Sequence, residues 1–437
     1  MRAVIMAGGQ GTRLASLTKN EISKNLYPIA GRPILEWQLI KLKEYGISDA
    51  VLVIGNLGNQ IREYFGDGSR LGMNISYVEE TEPLGTAGAL YYLNKEAEPF
   101  IFMMGDIFFD FDIERMIKFH NEKNAFVTLL AHPNIHPYDS DLVVTDGDNR
   151  VLRFDSKHNT RDYWYENLVN SGIYILNPEI CSYVREPKKM NFEKDLLAGI
   201  LKDKAVYAYR TPEFIRDVGT PDRVEATERD VAGGIVSAGN LKNKQKAVFL
   251  DRDGTINKYK GFLRNVDDFE LEENAVEAIR MLNKSEYLAI VVTNQPVIAR
   301  GECTVEQVEE IHRKMKTLLG REGAYIDDIL YCPHHPDKGY PGEIPELKIR
   351  CHCRKPDTGM IEEAAARYNI DISSSWVVGD RTGDIKLGKN AGCRTVLVRT
   401  GSAGEDGKYD VTADYTEEDL LEAVKRIIET DSRKENS

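Results

Sequence analysis

Residues 247–255 read Ala-Val-Phe-Leu-Asp-Arg-Asp-Gly-Thr: four apolar residues, two carboxylates with one residue between them, then a glycine. A short apolar run stopped by a turn signal reads as a buried strand. Residues two apart at its end point to one side, so Asp251 and Asp253 can face the same phosphate. In the chemistry that suits such a pair, one carboxylate attacks phosphorus to form an aspartyl-phosphate, and the other protonates the leaving oxygen and later activates water. A calcium loop is excluded, because Gly254 comes too early and no Glu closes a loop of the right length.

Working outward, apolar runs at 288–293, 376–379 and 395–398 alternate with helical stretches, which predicts a doubly wound α/β sheet. Its strand ends and loops carry the other groups that phosphate chemistry needs. Thr293, followed by Asn294-Gln295, can hydrogen-bond phosphoryl oxygens, and Lys355, within Arg354-Lys355-Pro356, can neutralise them. Asp380, with Asp384 four residues on, can join Asp251 and the Asp253 carbonyl on Mg²⁺. Cys332-Pro333-His334 and Cys351-His352-Cys353 supply three thiolates and an imidazole, a set suited to a closed tetrahedral zinc. His335 and His352 lie beside the proposed ligands and can stand in for His334. Four protein ligands leave no open position, so this zinc is expected to order a loop and not to catalyse. Cys181, Cys303 and Cys393 read as small buried residues.

Before residue 247 lies a second α/β pattern. Short β-branched runs at 51–54, 100–104, 126–130 and 172–176 alternate with amphipathic stretches such as 34–45, predicting a mostly parallel sheet. The run 3–7 ends in Gly8-Gly9-Gln10-Gly11-Thr12-Arg13, where Gly8, Gly9 and Gly11 can let backbone N–H groups approach phosphate. It is not a Walker loop, since no Gly-Lys-Ser/Thr follows. Gly, Ser, Asn and Lys then accumulate, so the chain divides into a domain at 1–231, a linker at 232–246, a domain at 247–430 and a disordered tail at 431–437.

At 437 residues the chain is long enough for two large cores. Its formal charge of -13 is spread over both halves, which argues against nucleic acid or an anionic membrane as partner; phosphate must be met by local cations or metal. No run approaches the roughly 18 apolar residues that span a bilayer, and the first residues lack a signal peptide's pattern. The expected compartment is the cytoplasm, and the expected partners are small molecules. Nothing in the pattern specifies an oligomeric state.

The first half, with Gly8 to Arg13, Lys24, Leu84-Gly85-Thr86-Ala87-Gly88, Gly105-Asp106 and Asp217-Val218-Gly219 in order, resembles the sugar-phosphate nucleotidyltransferases. The resemblance implies a Rossmann-like mixed sheet and attack of a sugar phosphate on a nucleotide's α-phosphorus with loss of pyrophosphate. It implies that Arg13 holds the triphosphate, Lys24 contacts the reacting phosphates, and Gly85 lies in the substrate site. Asp106 with Asp217 would bind Mg²⁺, and Asn170 and Lys157 would lie near the sugar phosphate. The family usually flanks its lysine with prolines, where Ser23 and Asn25 stand here.

The second half resembles the haloacid-dehalogenase superfamily and, within it, through Thr293-Asn294-Gln295, Ala299-Arg300-Gly301, the cysteine pairs and Arg354-Lys355-Pro356, the heptose-1,7-bisphosphate 7-phosphatases. That implies substrate contacts from Asn294, Gln295, Arg300, Arg354 and Arg381, with Tyr259, Gly261 and Phe262 lining the pocket. The two resemblances join as consecutive steps, dephosphorylation to heptose 1-phosphate and then nucleotidyl transfer, with GTP as the expected donor. Three alternatives stay open: a hexose 1-phosphate acceptor, histidinol phosphate as phosphatase substrate, and a first half that binds nucleotide-sugar without catalysis.

Overall fold

A computed structural model describes residues 1–93 and 96–435, with side chains as far as 431. The chain forms two compact units. One comprises Met1–His132, Asp141–His158 and Leu168–Asn240; the other comprises Pro133–Ser140, Asn159–Asn167 and Leu241–Ser437. The boundary at Asn240 falls within the expected linker, which holds the short helix Ile235–Ala238 and gives up Lys246 to the next strand. The units are not contiguous in sequence, as boundaries of 1–231 and 247–430 would have them. The aromatic stretch Tyr163-Trp164-Tyr165 groups with the second unit and has its apolar surface to bury there.

In the first unit, Ala3–Met6 lies between Asp49–Ile54 and Phe100–Met104, parallel to both, and Asn74–Glu79 extends the parallel edge. Val169–Leu176 runs antiparallel to Phe100–Met104, Val127–His132 and Leu142–Thr145. The sheet is therefore mixed: the expected parallel pattern holds from Phe100–Met104 to Asn74–Glu79 and returns where Val206–Arg210 pairs parallel with Val127–His132. No helix lies within 142–176, and without a crossover helix successive strands pair antiparallel. Alternate residues of the first strand enter different cores, Val4 on one face and Ala3 and Ile5 on the other.

The second unit's sheet is parallel throughout. Its spatial order is Asp328–Cys332, Tyr287–Asn294, Lys246–Leu250, Trp376–Gly379, Arg394–Val398 and Tyr415–Glu417. Taken in chain order this is 3-2-1-4-5-6, and the crevice of such a sheet opens where the order reverses, between Lys246–Leu250 and Trp376–Gly379. Val248 and Leu250 pack into one core, Ala247 and Phe249 into the other. The expected tail at 431–437 is helical as far as Glu435, because Leu420–Glu435 continues through that point. Asp431 anchors it, 2.8 Å from Arg394 Nη2 and 3.5 Å from Lys246 Nζ. Residues 436–437 lie outside the described residues. Cys181, Cys303 and Cys393 are buried free thiols.

Two candidate active sites and a candidate metal centre

Three carboxylates meet at the reversal point of the second unit's sheet. Asp251 follows Lys246–Leu250, Asp380 follows Trp376–Gly379, and Asp384 stands in the first turn of the helix Thr382–Ala391. All three are buried, and one oxygen of each lies within 4.8 Å of the others. Lys355 Nζ sits among them, 2.7 Å from Asp251 Oδ1 and 2.6 Å from Asp384 Oδ1, and donates to Val292 O at 2.9 Å. Burial, reinforced by the Asp251 charge, pushes the Asp380 carboxyl up to about 7 and that of Asp384 up to about 6. Burial opposes the Lys355 charge, yet Asp251 and Asp384 hold its ammonium well above the ordinary value. Asp380 Oδ2 accepts from Ser402 N at 2.6 Å, whereas Oδ1 is buried with no hydrogen-bond partner. An oxygen left so costs about 1–3 kcal/mol. The orphan oxygen and the excess of carboxylate over ammonium fit a hard divalent cation such as Mg²⁺. Gly254, at φ +86°, lets the backbone come close: a Cβ there would stand 2.5 Å from Asp380 Oδ2.

The Asp253 carboxylate is not part of this group; the metal contact expected of Asp253 is through its backbone carbonyl. Arg252 Nη2 donates to its two oxygens at 2.9 and 2.8 Å, and Asn257 Nδ2 and Gln295 Nε2 each donate at 3.1 Å. A fully buried guanidinium needs a counter-charge, and Asp253 provides it. Burial opposes ionisation of Asp253, but the guanidinium prevails and holds its carboxyl below the usual range. Gln295 Nε2 also donates to Thr293 Oγ1 at 3.0 Å, so one amide joins Asp253 to Thr293. Behind Arg252, Nη1 lies 3.1 Å from Nε2 of the buried His312. Burial depresses the His312 imidazole's proton affinity, so Nε2 accepts from the guanidinium and Nδ1 carries the proton.

Around these groups, Asn294 is occupied with the Lys355 backbone, accepting from its N at 3.0 Å and donating to its O at 3.2 Å. Arg300 stacks on Phe262 and Tyr340, 4.4 and 4.5 Å from the ring centroids, and Arg381 lies 4.8 Å from that of Tyr259. Tyr259 and Phe262 are exposed, and Gly261 has φ +77°. Arg354 Nη1 donates to His334 O at 3.0 Å, which ties the cysteine loop to the Lys355 loop.

Cys332, His334, Cys351 and Cys353 bring one ligand atom each within 4.8 Å of the others. The Sγ atoms are 3.3 to 3.5 Å apart and His334 Nδ1 is 3.3 Å from Cys353 Sγ. Of the three candidate histidines, His334 is the one in the group. His335 lies 3.0 Å from Arg300 through Nε2, and His352 is on the surface, 2.9 Å from Glu362. Burial pushes the thiols of Cys332 and Cys353 up, so a cation is what would make thiolates of them.

In the first unit, a cavity of about 210 Å³ is lined by Gln10 through Leu14, Lys24, Asp106 and Gly219. Lys24 Nζ is 2.6 Å from Asp106 Oδ2; Arg13 and Arg223 are 3.4 and 2.8 Å from Asp217 Oδ2. Burial opposes ionisation of Asp106, but Lys24 and then Arg13 outweigh it and hold the carboxyl below its usual range. Asp106 and Asp217 thus each hold an organic cation, and among the described residues they form no three-ligand metal group. Gly11, at φ +68°, passes so close that a Cβ would lie 3.1 Å from Lys24 Cβ, and one on Gly9 would lie 3.1 Å from Lys24 Nζ. Asn25, where the resemblance expects proline, is buried and donates to Ala7 O at 2.8 Å, pinning the start of the glycine loop. Gly85, at φ +74°, bridges to Met190, and its Cβ would stand 2.5 Å from Met190 O.

A family model for nucleotidyl transferases matches residues 2–233, more than half of the chain, and a HAD-hydrolase-like model matches residues 352–423. The D-glycero-alpha-D-manno-heptose-1,7-bisphosphate 7-phosphatase of Photorhabdus laumondii is 43% identical over 160 residues, 36% of this chain and 85% of that protein. The D-glycero-beta-D-manno-heptose-1,7-bisphosphate 7-phosphatase of Pasteurella multocida is 40% identical over 186 residues, 42% of this chain and 97% of that protein. The chain belongs to both families, nucleotidyl transferase and heptose-bisphosphate phosphatase. Among solved structures, HddC from Yersinia pseudotuberculosis is similar over 53% of this chain and 99% of that one, at 25% identity and a TM-score of 0.46.

In the phosphatase unit the structure brings together Asp251, Asp380, Asp384 and Lys355, and joins Thr293 to Asp253 through Gln295. Asp384 was signalled by its spacing from Asp380, whereas Arg252 with His312, a polar residue inside a helix, gave no signal. In the transferase unit, Lys24 pairs with Asp106 and Arg13 with Asp217, with Gly9 and Gly11 against Lys24 and Gly8 against Glu80. Lys157 and Asn170 stand at the same end of the sheet, outside the cavity's lining. Asn170 donates through Nδ2 to Tyr174 Oη at 2.7 Å and Glu193 Oε1 at 3.2 Å, and its Oδ1 accepts from Gly172 N at 3.3 Å. Both amide hydrogens are thereby committed within the protein. Sequence reasoning missed Glu80, whose Oε1 is buried without a hydrogen-bond partner and whose carboxyl burial pushes up. A Cβ on Gly8 would lie 2.6 Å from Glu80 Oε2, so this carboxylate backs directly onto the glycine loop.

Proposed function

We propose that the phosphatase unit removes the 7-phosphate of D-glycero-D-manno-heptose 1,7-bisphosphate. The transferase unit then joins the resulting heptose 1-phosphate to GMP from GTP, with loss of pyrophosphate. The observation that carries this reading is the likeness to heptose-bisphosphate phosphatases at 40–43% identity, covering up to 97% of a relative's length. Their product keeps an anomeric phosphate, the kind of acceptor a nucleotidyl transferase consumes.

Asp251 acts as nucleophile. Its Oδ1 accepts from Arg252 N at 2.8 Å and from Lys355, which leaves the carboxylate oriented for in-line attack. Lys355 and Thr293 then meet the phosphoryl oxygens, and Asp253 serves as acid and base. Asp253 is ionised in this state and takes up a proton from solvent once a phosphate dianion crowds it. Asp251, Asp380 and Asp384, with the Asp253 carbonyl, would hold Mg²⁺, whose charge neutralises the transferring phosphoryl group. Tyr259, Gly261, Phe262, Gln295, Arg300, Arg354 and Arg381 form the sugar's surroundings. The cysteine loop would take zinc through Cys332, His334, Cys351 and Cys353, which would fix Arg354 and Lys355.

In the transferase unit, Arg13, Lys24 and the N–H groups of Gly8, Gly9 and Gly11 meet the triphosphate; Asp106 and Asp217 would hold Mg²⁺, which would neutralise phosphate charge. Glu80 supports guanine: a carboxylate offers two acceptors, and the guanine edge offers two neighbouring donors, N1–H and N2–H. Asn170 and Lys157 bound the sugar phosphate. Among the described residues no helix is long and apolar enough to cross a membrane, and six free thiols suit the reducing cytoplasm.

The test is a one-pot assay with each anomer of heptose 1,7-bisphosphate, Mg²⁺ and each nucleoside triphosphate in turn, following phosphate and nucleotide-sugar by mass. GDP-heptose is expected. Phosphate release without nucleotide-sugar from any triphosphate would remove the transferase half of the proposal.

A further inference from the structure

The helix Val305–Arg321 of the phosphatase unit carries His312 on one stretch and, one to two turns further on, a strip filled by residues from the transferase half of the sequence. Tyr165 N donates to Thr317 Oγ1 at 2.9 Å, and Thr317 Oγ1 donates back to Tyr165 O at 3.0 Å. Lys316 pairs with Glu166. The Trp164 ring lies between Lys314 and Arg321, 5.2 and 5.5 Å from its centroid. Gly320 faces Pro137 so closely that a Cβ there would stand 2.5 Å from Pro137 Cγ. Asn167 binds the two pieces of this strap to each other, donating to Asn134 O at 2.7 Å and accepting from Asn134 N at 3.1 Å. Both Thr317 and Tyr165 are buried, so these bonds are made away from water.

We propose that His312 is a positioning residue for the phosphatase acid: it fixes Arg252, which aligns Asp253 beside Thr293, and the strap Pro133–Ser140 with Asn159–Asn167 holds the helix that presents it. The geometry behind this is an unbroken set of short bonds. His312 Nε2 accepts from Arg252 Nη1 at 3.1 Å, Arg252 Nη2 grips Asp253 at 2.8 and 2.9 Å, and Gln295 joins Asp253 to Thr293 at 3.1 and 3.0 Å. Arg252 is completely buried, so without His312 it keeps its charge but loses the contact that sets its rotation. The step that tells one kind of ester from another is the first one, since the later activation of water by Asp253 is common to all. As the Asp251 oxygen bonds to phosphorus and the ester P–O bond breaks, the leaving oxygen takes its proton from Asp253. An alkoxide needs that proton; a nitrophenolate leaves without it.

The proposal rests on the aspartyl-phosphate reading of this site but not on its sugar. Its test uses the full chain with two esters, a primary alkyl monophosphate and p-nitrophenyl phosphate. In His312→Ala, kcat/KM, which reports the steps up to release of the alcohol, is expected to fall tenfold or more on the alkyl ester and to change less than twofold on the aryl ester. His312→Gln, whose side-chain oxygen can accept from Arg252, should recover most of the loss. Thr317→Val, which removes both bonds to Tyr165, should lower the same ratio in the same direction by a smaller factor. Equal losses on both esters, or no loss on either, would overturn the positioning role. An unmodified chain that releases phosphate from neither ester nor from heptose 1,7-bisphosphate would instead refute the phosphatase reading itself.

Discussion

Asp380 and Asp384 show how a single residue's environment sets what the site demands. Their folded-state values, about 7 and about 6, lie above the roughly 3.9 of an unfolded aspartate. The native state therefore binds more protons than the unfolded chain across that interval, and what these two groups contribute to stability declines as pH rises from about 4 to 7. A bound cation replaces those protons. At pH 5 it must displace them, whereas at pH 8 it meets carboxylates already ionised and repelling one another. We expect the rise in Tm that Mg²⁺ produces in chelator-stripped protein to be several degrees larger at pH 8 than at pH 5, measured by scanning calorimetry. A Mg²⁺ effect of the same size at both would mean that this trio is not where the ion binds. Asp327, pushed up to about 7 by burial at the opposite ends of the strands, adds to the pH dependence but not to its Mg²⁺-sensitive part.

Among the elements, the loop between Asp328–Cys332 and Gly359–Tyr368 depends most on something other than its own packing. It begins and ends in the four ligands and contains a single short helix, Pro345–Leu347, so few backbone bonds hold it. Purified protein is expected to carry about one zinc per chain, by elemental analysis, and Cys351→Ser to lose most of it. That variant should lose about tenfold or more of its phosphatase turnover, because Arg354 and Lys355 follow directly on Cys353, while nucleotidyl transfer stays as it was. Zinc-free wild-type protein with full phosphatase activity would dispose of the loop-ordering role. The strands need no such help, since alternate side chains of Ala3–Met6 and of Lys246–Leu250 reach separate cores on the two faces.

For the whole molecule, two families in one chain imply two activities that separate by mutation. Asp106→Asn should lower nucleotide-sugar formation by at least about 10²-fold and leave phosphate release intact, so that heptose 1-phosphate accumulates; Asp251→Asn should stop phosphate release while pyrophosphate release from added heptose 1-phosphate continues. Loss of both activities in either variant would show that the sites are not independent. Much of the fold was legible in the sequence, because buried parallel strands announce themselves as apolar runs, and the residues just past them are those the proposed sites use: Asp251 after 247–250, Asp380 after 376–379, Asp106 after 100–104. The cysteine spacing likewise specified a four-ligand group by chemistry alone. What the tertiary structure decided were contacts between residues far apart in the chain, which no local period records. It turned Asp253 to Arg252 and away from the other carboxylates and chose His334 over His335 and His352. It also set Glu80 against the glycine loop and gave Pro133–Ser140 and Asn159–Asn167 to the phosphatase unit, since burial and pairing are satisfied in space and not along the chain.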